Sequence, residues 1–157
     1  MLKRSVAVLV SAGVLIASEC AARELVLIVH PLNPVTNVSA VDLREILLMV
    51  RQRWSGGGRI YLLLPESGSP EKEVLLRRAL KMTEDELRRY YLGKLYAGEI
   101  PAFPRVVASG AEAHRIVSRA PNALAVVDAS TVDASVKVVR IAGRRPGETD
   151  YLLTFGR

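Results

Sequence analysis

The sequence predicts a three-layer α/β domain with a mixed sheet. Three observations carry this. Short, continuous apolar runs at residues 24–29, 59–64 and 123–127 are rich in Val, Leu and Ile, as strands buried on both faces are. Between them lie stretches with apolar residues at helical spacing, opened by capping residues. Strand and helix signals alternate along the chain, the pattern of a sheet covered by helices.

The 157 residues, 50% hydrophobic and 24% charged, suffice for one domain with a real core. A positive start at Lys3-Arg4 precedes an apolar run at residues 6–17, then Cys20-Ala21-Ala22. Twelve apolar positions are too few to cross a hydrocarbon core, which needs about 20. Residues 1–22 therefore read as a secretory signal peptide cleaved after Ala22. Glu19 is the wrong neighbour for lipidation at Cys20. Removing 22 of 157 residues leaves 135, with Lys3, Arg4 and Glu19 gone, a charge of +5 and no cysteine. Residues 23–157 form a single periplasmic or secreted domain on this reading, with no later membrane span.

The run at residues 24–29 is the first strand, and its unbroken apolar character suggests a parallel sheet. Asn33 and Pro34 lie in a loop. Ser39 and Asp42 have capping-box spacing and open a helix to about Val50. Trp54 and three glycines make a turn before a strand at residues 59–64. Ser69 followed by Pro70 is an N-cap with proline in the first turn, ahead of a helix through Leu80. Thr83 and Glu86 box a third helix to about Leu95. Residues 98–107 are extended or irregular. Ser109 caps a fourth helix, which Pro121-Asn122 ends. Strands are expected at 123–127, 136–141 and 151–155, the last two paired across residues 143–147.

Asn33-Pro34, the stretch from Ser39 to Ile46, Arg53-Trp54 before the glycines, Gly68-Ser69-Pro70 and the run Ala120-Pro121-Asn122-Ala123-Leu124 stand in a familiar order. Together they resemble the phosphate-binding periplasmic proteins of ABC transporters, over about residues 25–153. The resemblance implies one lobe of a type II periplasmic binding protein. It further implies a non-catalytic role in solute binding and transport, with phosphate or a similar small oxyanion as ligand and an ABC permease as partner. The alternative is a cell-envelope interaction or scaffold domain that has lost anion binding.

The site implied is Ser67, Gly68, Ser69 and Lys72, with Asn33 and Ser39 from earlier loops. Backbone N–H groups at a helix start favour an anion. The chain departs from the family pattern of an arginine ahead of Ser-Gly-Thr: Glu66 stands at the arginine, Pro70 at the glycine and Glu71 at the threonine. Leu47-Leu48-Met49-Val50 replaces Phe-Leu-Gly-Lys. A carrier is expected to bring a replacement cation, such as Arg105 or Arg115, to the Ser69 helix. A partner-binding domain is expected to expose an apolar patch including Tyr90, Tyr91 and Tyr96.

Other signals point to ordinary roles. His30 beside Pro31 reads as a loop hydrogen-bonder, and His114 has only Glu112 nearby at ligand spacing, which does not make a metal ligand of it. One cysteine and two histidines offer no metal set, and no cofactor is expected. The basic residues between Arg51 and Lys94 read as solvated helix faces, so no nucleic-acid partner is expected. Gly56-Gly57-Gly58 lacks a Walker lysine, and no Gly-x-Ser-x-Gly elbow is present, which argues against an enzyme.

Overall fold

The computed structural model describes residues 23–155. The predicted signal segment, residues 1–22, lies outside them. Six strands form one mixed sheet: β1 (Leu25–Val29), β2 (Asn37–Val38), β3 (Tyr61–Pro65), β4 (Arg105–Val107), β5 (Ala123–Asp128) and β6 (Lys137–Ile141), in the order β2-β6-β1-β5-β3-β4. The helices are α1 (Ala40–Leu47), α2 (Pro70–Val74), α3 (Glu84–Tyr96) and α4 (Gly110–Val117). A π-helical segment, Leu75–Leu80, continues α2.

Strand β1 is buried at all five positions, as its composition predicts. Its direction corrects the parallel expectation: β1 runs antiparallel to both β5 and β6. Burial by helices on both faces, rather than strand direction, demands the continuous apolar run. Parallel pairing appears farther out, between β3 and its neighbours β4 and β5, and between β2 and β6.

The two faces of the sheet carry separate cores. On one, Leu27, Leu62, Leu124 and Val126 pack with buried residues of α1, α2, the π-helical segment and α3. On the other, Ile28, Leu63, Ala125 and Val127 meet Ala113 and Val117 of α4. The register explains this division. Leu27 faces Val126 and Ile28 faces Ala125, so neighbours on one pleat share a face. Burying each Leu or Ile contributes about 1.5–3 kcal/mol before the entropy of ordering is counted.

The helix starts follow the sequence closely. Ser39 and Thr83 form full capping boxes with Asp42 and Glu86, and Ser69 and Ser109 accept from the amides of Lys72 and Glu112. The ends differ more. Helix α1 stops at Leu47 rather than Val50 because Met49 turns left-handed at φ 54°. The π-helical segment ends at Lys81, also left-handed, and the Arg44 guanidinium donates to the Leu80 carbonyl there. The expected strand at 151–155 does not form. Tyr151 and Leu153 fill the core from a turn, with only a bridge between Glu24 and Thr154.

Candidate functional site

Strand β3 ends at Pro65 and strand β4 at Val107, side by side in a parallel pair. Each leads through a short turn into a helix, so α2 and α4 begin at the same end of the sheet. Gly68, at φ 78°, supplies the left-handed step of the first turn. Ser69 then donates its hydroxyl to the Glu66 carbonyl at 2.8 Å and accepts from the Lys72 amide at 3.1 Å. Across from it, Ser109 accepts from the Glu112 amide at 3.1 Å, while the Glu112 carboxylate accepts from the Ala108 amide at 3.0 Å.

A cleft of about 520 Å³ lies between these two starts, floored by Ala113, Val126 and Val127. The positive ends of two helix dipoles converge on it, and the amides of Glu71, Gly110 and Ala111 have no intrahelical partner at those positions. Ser67, Gly68 and Ser69 line it. Its only charged lining residues among those described are Glu66 and Glu71.

No arginine or lysine among the described residues lines the cleft. Arg105 instead donates to Glu112 at 3.3 Å and to the Tyr61 hydroxyl at 3.4 Å, and Arg115 does not reach in. Arg23, unremarked in the sequence, is a cation near the rim. Its guanidinium lies 3.8 Å from Glu71 but is already committed by hydrogen bonds of 2.9 and 2.8 Å to Asp128, and it stacks over Phe155. Burial pushes the Asp128 carboxyl upward, but bonds from Ser130 and Arg23 outweigh it and hold the group below its ordinary range.

The other three implied residues lie elsewhere. Lys72 is buried on the far flank of α2, with its ammonium 3.7 Å from Glu84. The helical period places positions 69 and 72 close in sequence but turns the longer side chain toward α3. Asn33 is buried at the opposite end of the sheet, where it donates to the Pro121 carbonyl and accepts from the Val35 amide. Ser39 is consumed in the α1 capping box. It stands beyond β2, four strand positions from β3, or roughly 19 Å at the usual strand spacing.

No family model matches the sequence, and no curated protein shows significant similarity to it. Solved structures do match. A protein described as a phosphate ABC transporter substrate-binding protein with bound phosphate, from Clostridium perfringens, superposes with a TM-score of 0.65 at 22% identity, over 80% of this chain and 47% of that one. The fold resembles one lobe of a type II periplasmic binding protein. An ABC-type phosphate transport receptor from Vibrio cholerae matches at TM-score 0.65 and 19% identity, over 80% of this chain and 49% of its own. PstS from Borrelia burgdorferi matches at 0.68 and 17%, over 85% and 55%. The chain thus spans about half the length of these structures, and at such identities the likeness is one of fold.

Among the described residues no three His, Cys, Asp or Glu side chains gather as a metal set, and no helix is long and apolar enough to cross a membrane. His30 accepts from the Leu32 amide through Nδ1, and His114 pairs with Asp133 at 3.1 Å. The expected tyrosine patch is broken up. Tyr91 is buried with its hydroxyl donating to the Leu47 carbonyl, Tyr90 packs edge-on against it, and only Tyr96 stands fully exposed.

Proposed function

We propose that this protein is an exported, non-catalytic binding domain of the cell envelope, and that the cleft between the α2 and α4 starts takes a small oxyanion. The observation that supports this reading is the convergence of two helix N-termini on one cleft, in a fold shared with phosphate-binding structures. The anion would be held by backbone N–H groups alone, without an arginine fork, since the Ser67 hydroxyl already donates to Glu84. Glu66 and Glu71 oppose it, so the expected affinity is weak, on the order of millimolar, equivalent to about −4 kcal/mol. Delivery to an ABC permease would follow from the same likeness.

The acidic lining favours a second reading, in which a lobe spanning half of its structural relatives engages an envelope protein and no anion. Titration calorimetry of ligand-stripped protein with phosphate, sulfate and molybdate separates the two. Saturable heat, abolished in the Gly68→Ala/Ser69→Ala double variant and tightened at least tenfold by Glu66→Arg, supports the oxyanion site. Silence from both wild type and Glu66→Arg removes it and leaves the envelope-partner reading.

A further inference from the structure

On the far flank of α2 from the cleft, a groove of about 280 Å³ runs between α3 and the free edge of β4. Its walls are Leu64, Leu87, Tyr91, Phe103, Pro104 and Val106. Phe103 and Val106 are 46% and 56% exposed, an unusual amount of apolar surface for two adjacent wall residues. Lys72 sits at the base and is only 5% exposed.

Lys72 is the informative group. Its ammonium has three donors, yet it makes no hydrogen bond among the described residues. Its one ionic partner, Glu84 Oε1, stands 3.7 Å away, outside hydrogen-bond reach. That oxygen already accepts from the Ser67 hydroxyl at 2.9 Å. The second Glu84 oxygen has no partner among the described residues, and Glu84 is half-exposed on the groove rim. Arg88, on the same rim, is neutralised by Asp85 at 2.7 Å. Burial lowers the Lys72 pKa, and Glu84 only partly restores it. A largely buried ammonium with spare donors costs stability that a leucine or methionine would not.

The site therefore offers one buried cation with free donors, one anion with a free acceptor oxygen, and an apolar wall beside both. We propose that this groove binds a free hydrophobic α-amino acid, its carboxylate on the Lys72 ammonium, its ammonium on Glu84 and its side chain against Leu87 and Phe103. A zwitterion leaves the site electrically neutral. A simple carboxylate adds a second negative charge beside Glu84, and a simple amine a second positive charge beside Lys72. The volume lies near the lower end for ligand pockets and suits one amino acid better than a larger solute. The two sites open on opposite flanks of α2 and share only Ser67 in their linings, so the inference does not rest on the oxyanion cleft.

The test is titration of the protein with L-phenylalanine and L-leucine, followed by calorimetry and by amide chemical shifts. Saturable binding with shifts centred on Lys72, Leu87, Phe103 and Val106 is expected. Lys72→Met should weaken it at least tenfold, and hydrocinnamate and phenethylamine should each bind at least tenfold more weakly than phenylalanine. Should Lys72→Met fail to fold, Phe103→Ala decides, since its side chain is half in solvent: it must weaken phenylalanine binding while leaving the thermal midpoint nearly unchanged. No saturable shift at these residues up to about 10 mM amino acid overturns the proposal. Hydrocinnamate binding as tightly as phenylalanine overturns it equally, since the ammonium would then be unread.

Discussion

Replacing Tyr151 by phenylalanine should stabilise the protein. Tyr151 is 3% exposed, and its hydroxyl oxygen has no hydrogen-bond partner among the described residues. The backbone around it is satisfied: its amide donates to Glu148 and its carbonyl accepts from Thr154. The hydroxyl alone loses its water on folding without replacement, a cost of about 1–3 kcal/mol. Phenylalanine keeps the ring in the core and leaves a gap of one oxygen, which offsets part of the gain. A net stabilisation of about 1–2 kcal/mol follows, or roughly 4–8 °C in thermal midpoint for a domain of this size. Urea unfolding read from the single, buried Trp54 measures it directly. The midpoint should rise with the slope unchanged. The advantage should also widen at high pH. Burial, with the nearby Glu24 charge, raises the Tyr151 pKa above its ordinary 10.0, so wild-type stability is lost as pH climbs past that value and the unfolded chain ionises first. A phenylalanine variant less stable than wild type would refute the reasoning and reveal a bound partner for the hydroxyl.

Three other outcomes are expected. Met49→Gly relieves a left-handed conformation worth about 1 kcal/mol, at some loss of packing from its half-buried side chain, so denaturant titration should show a gain of up to about 1 kcal/mol. A clear loss would mean that the side chain outweighs the strain. Ser109→Ala removes the α4 cap and should cost about 1 kcal/mol, largely restored by Ser109→Asp, as followed by thermal unfolding. Asp128, Asp42 and Glu112 all have folded pKa values below their ordinary ones, so the stability they contribute is present above about pH 4 and is lost as pH falls through those lowered values. Asp128→Asn should therefore flatten the acid limb of a stability-against-pH curve, and an unchanged limb would remove Asp128 from the account.

The legible parts of this fold are local. Ser39, Ser69, Thr83 and Ser109 mark four helix starts because a hydroxyl three residues before an open amide is chemistry confined to one turn. The direction of β1 is not local. Leu25–Val29 has the same composition whether its neighbours run with it or against it, since burial on both faces sets the pattern. Tyr151 and Leu153 mimic a strand by alternation, yet core contact from a turn satisfies the same periodicity. At the site, the Ser67–Ser69 turn was readable and the vacancy left by Glu66 was visible. The orientation of Lys72 was not, because it depends on α3, a separate helix, offering Glu84. Arg23 gave no signal at all, since its partner Asp128 lies 105 positions away in the sequence. At Met49 the resemblance expects glycine, and the backbone there does turn left-handed without it.

The position of β1 in the sheet also sets a timetable. It is the earliest strand of the described chain, and both its neighbours arrive about a hundred residues later. A polypeptide emerging from a ribosome or threading through a pore N-terminus first carries Leu25–Val29 unpaired until nearly all of the domain has followed. Five successive apolar residues with both edges open are a pairing hazard for that whole interval. Folding is thereby tied to long-range closure and should be slow for the domain's size. A chain cut short before β6 would leave the central strand of the sheet as its edge.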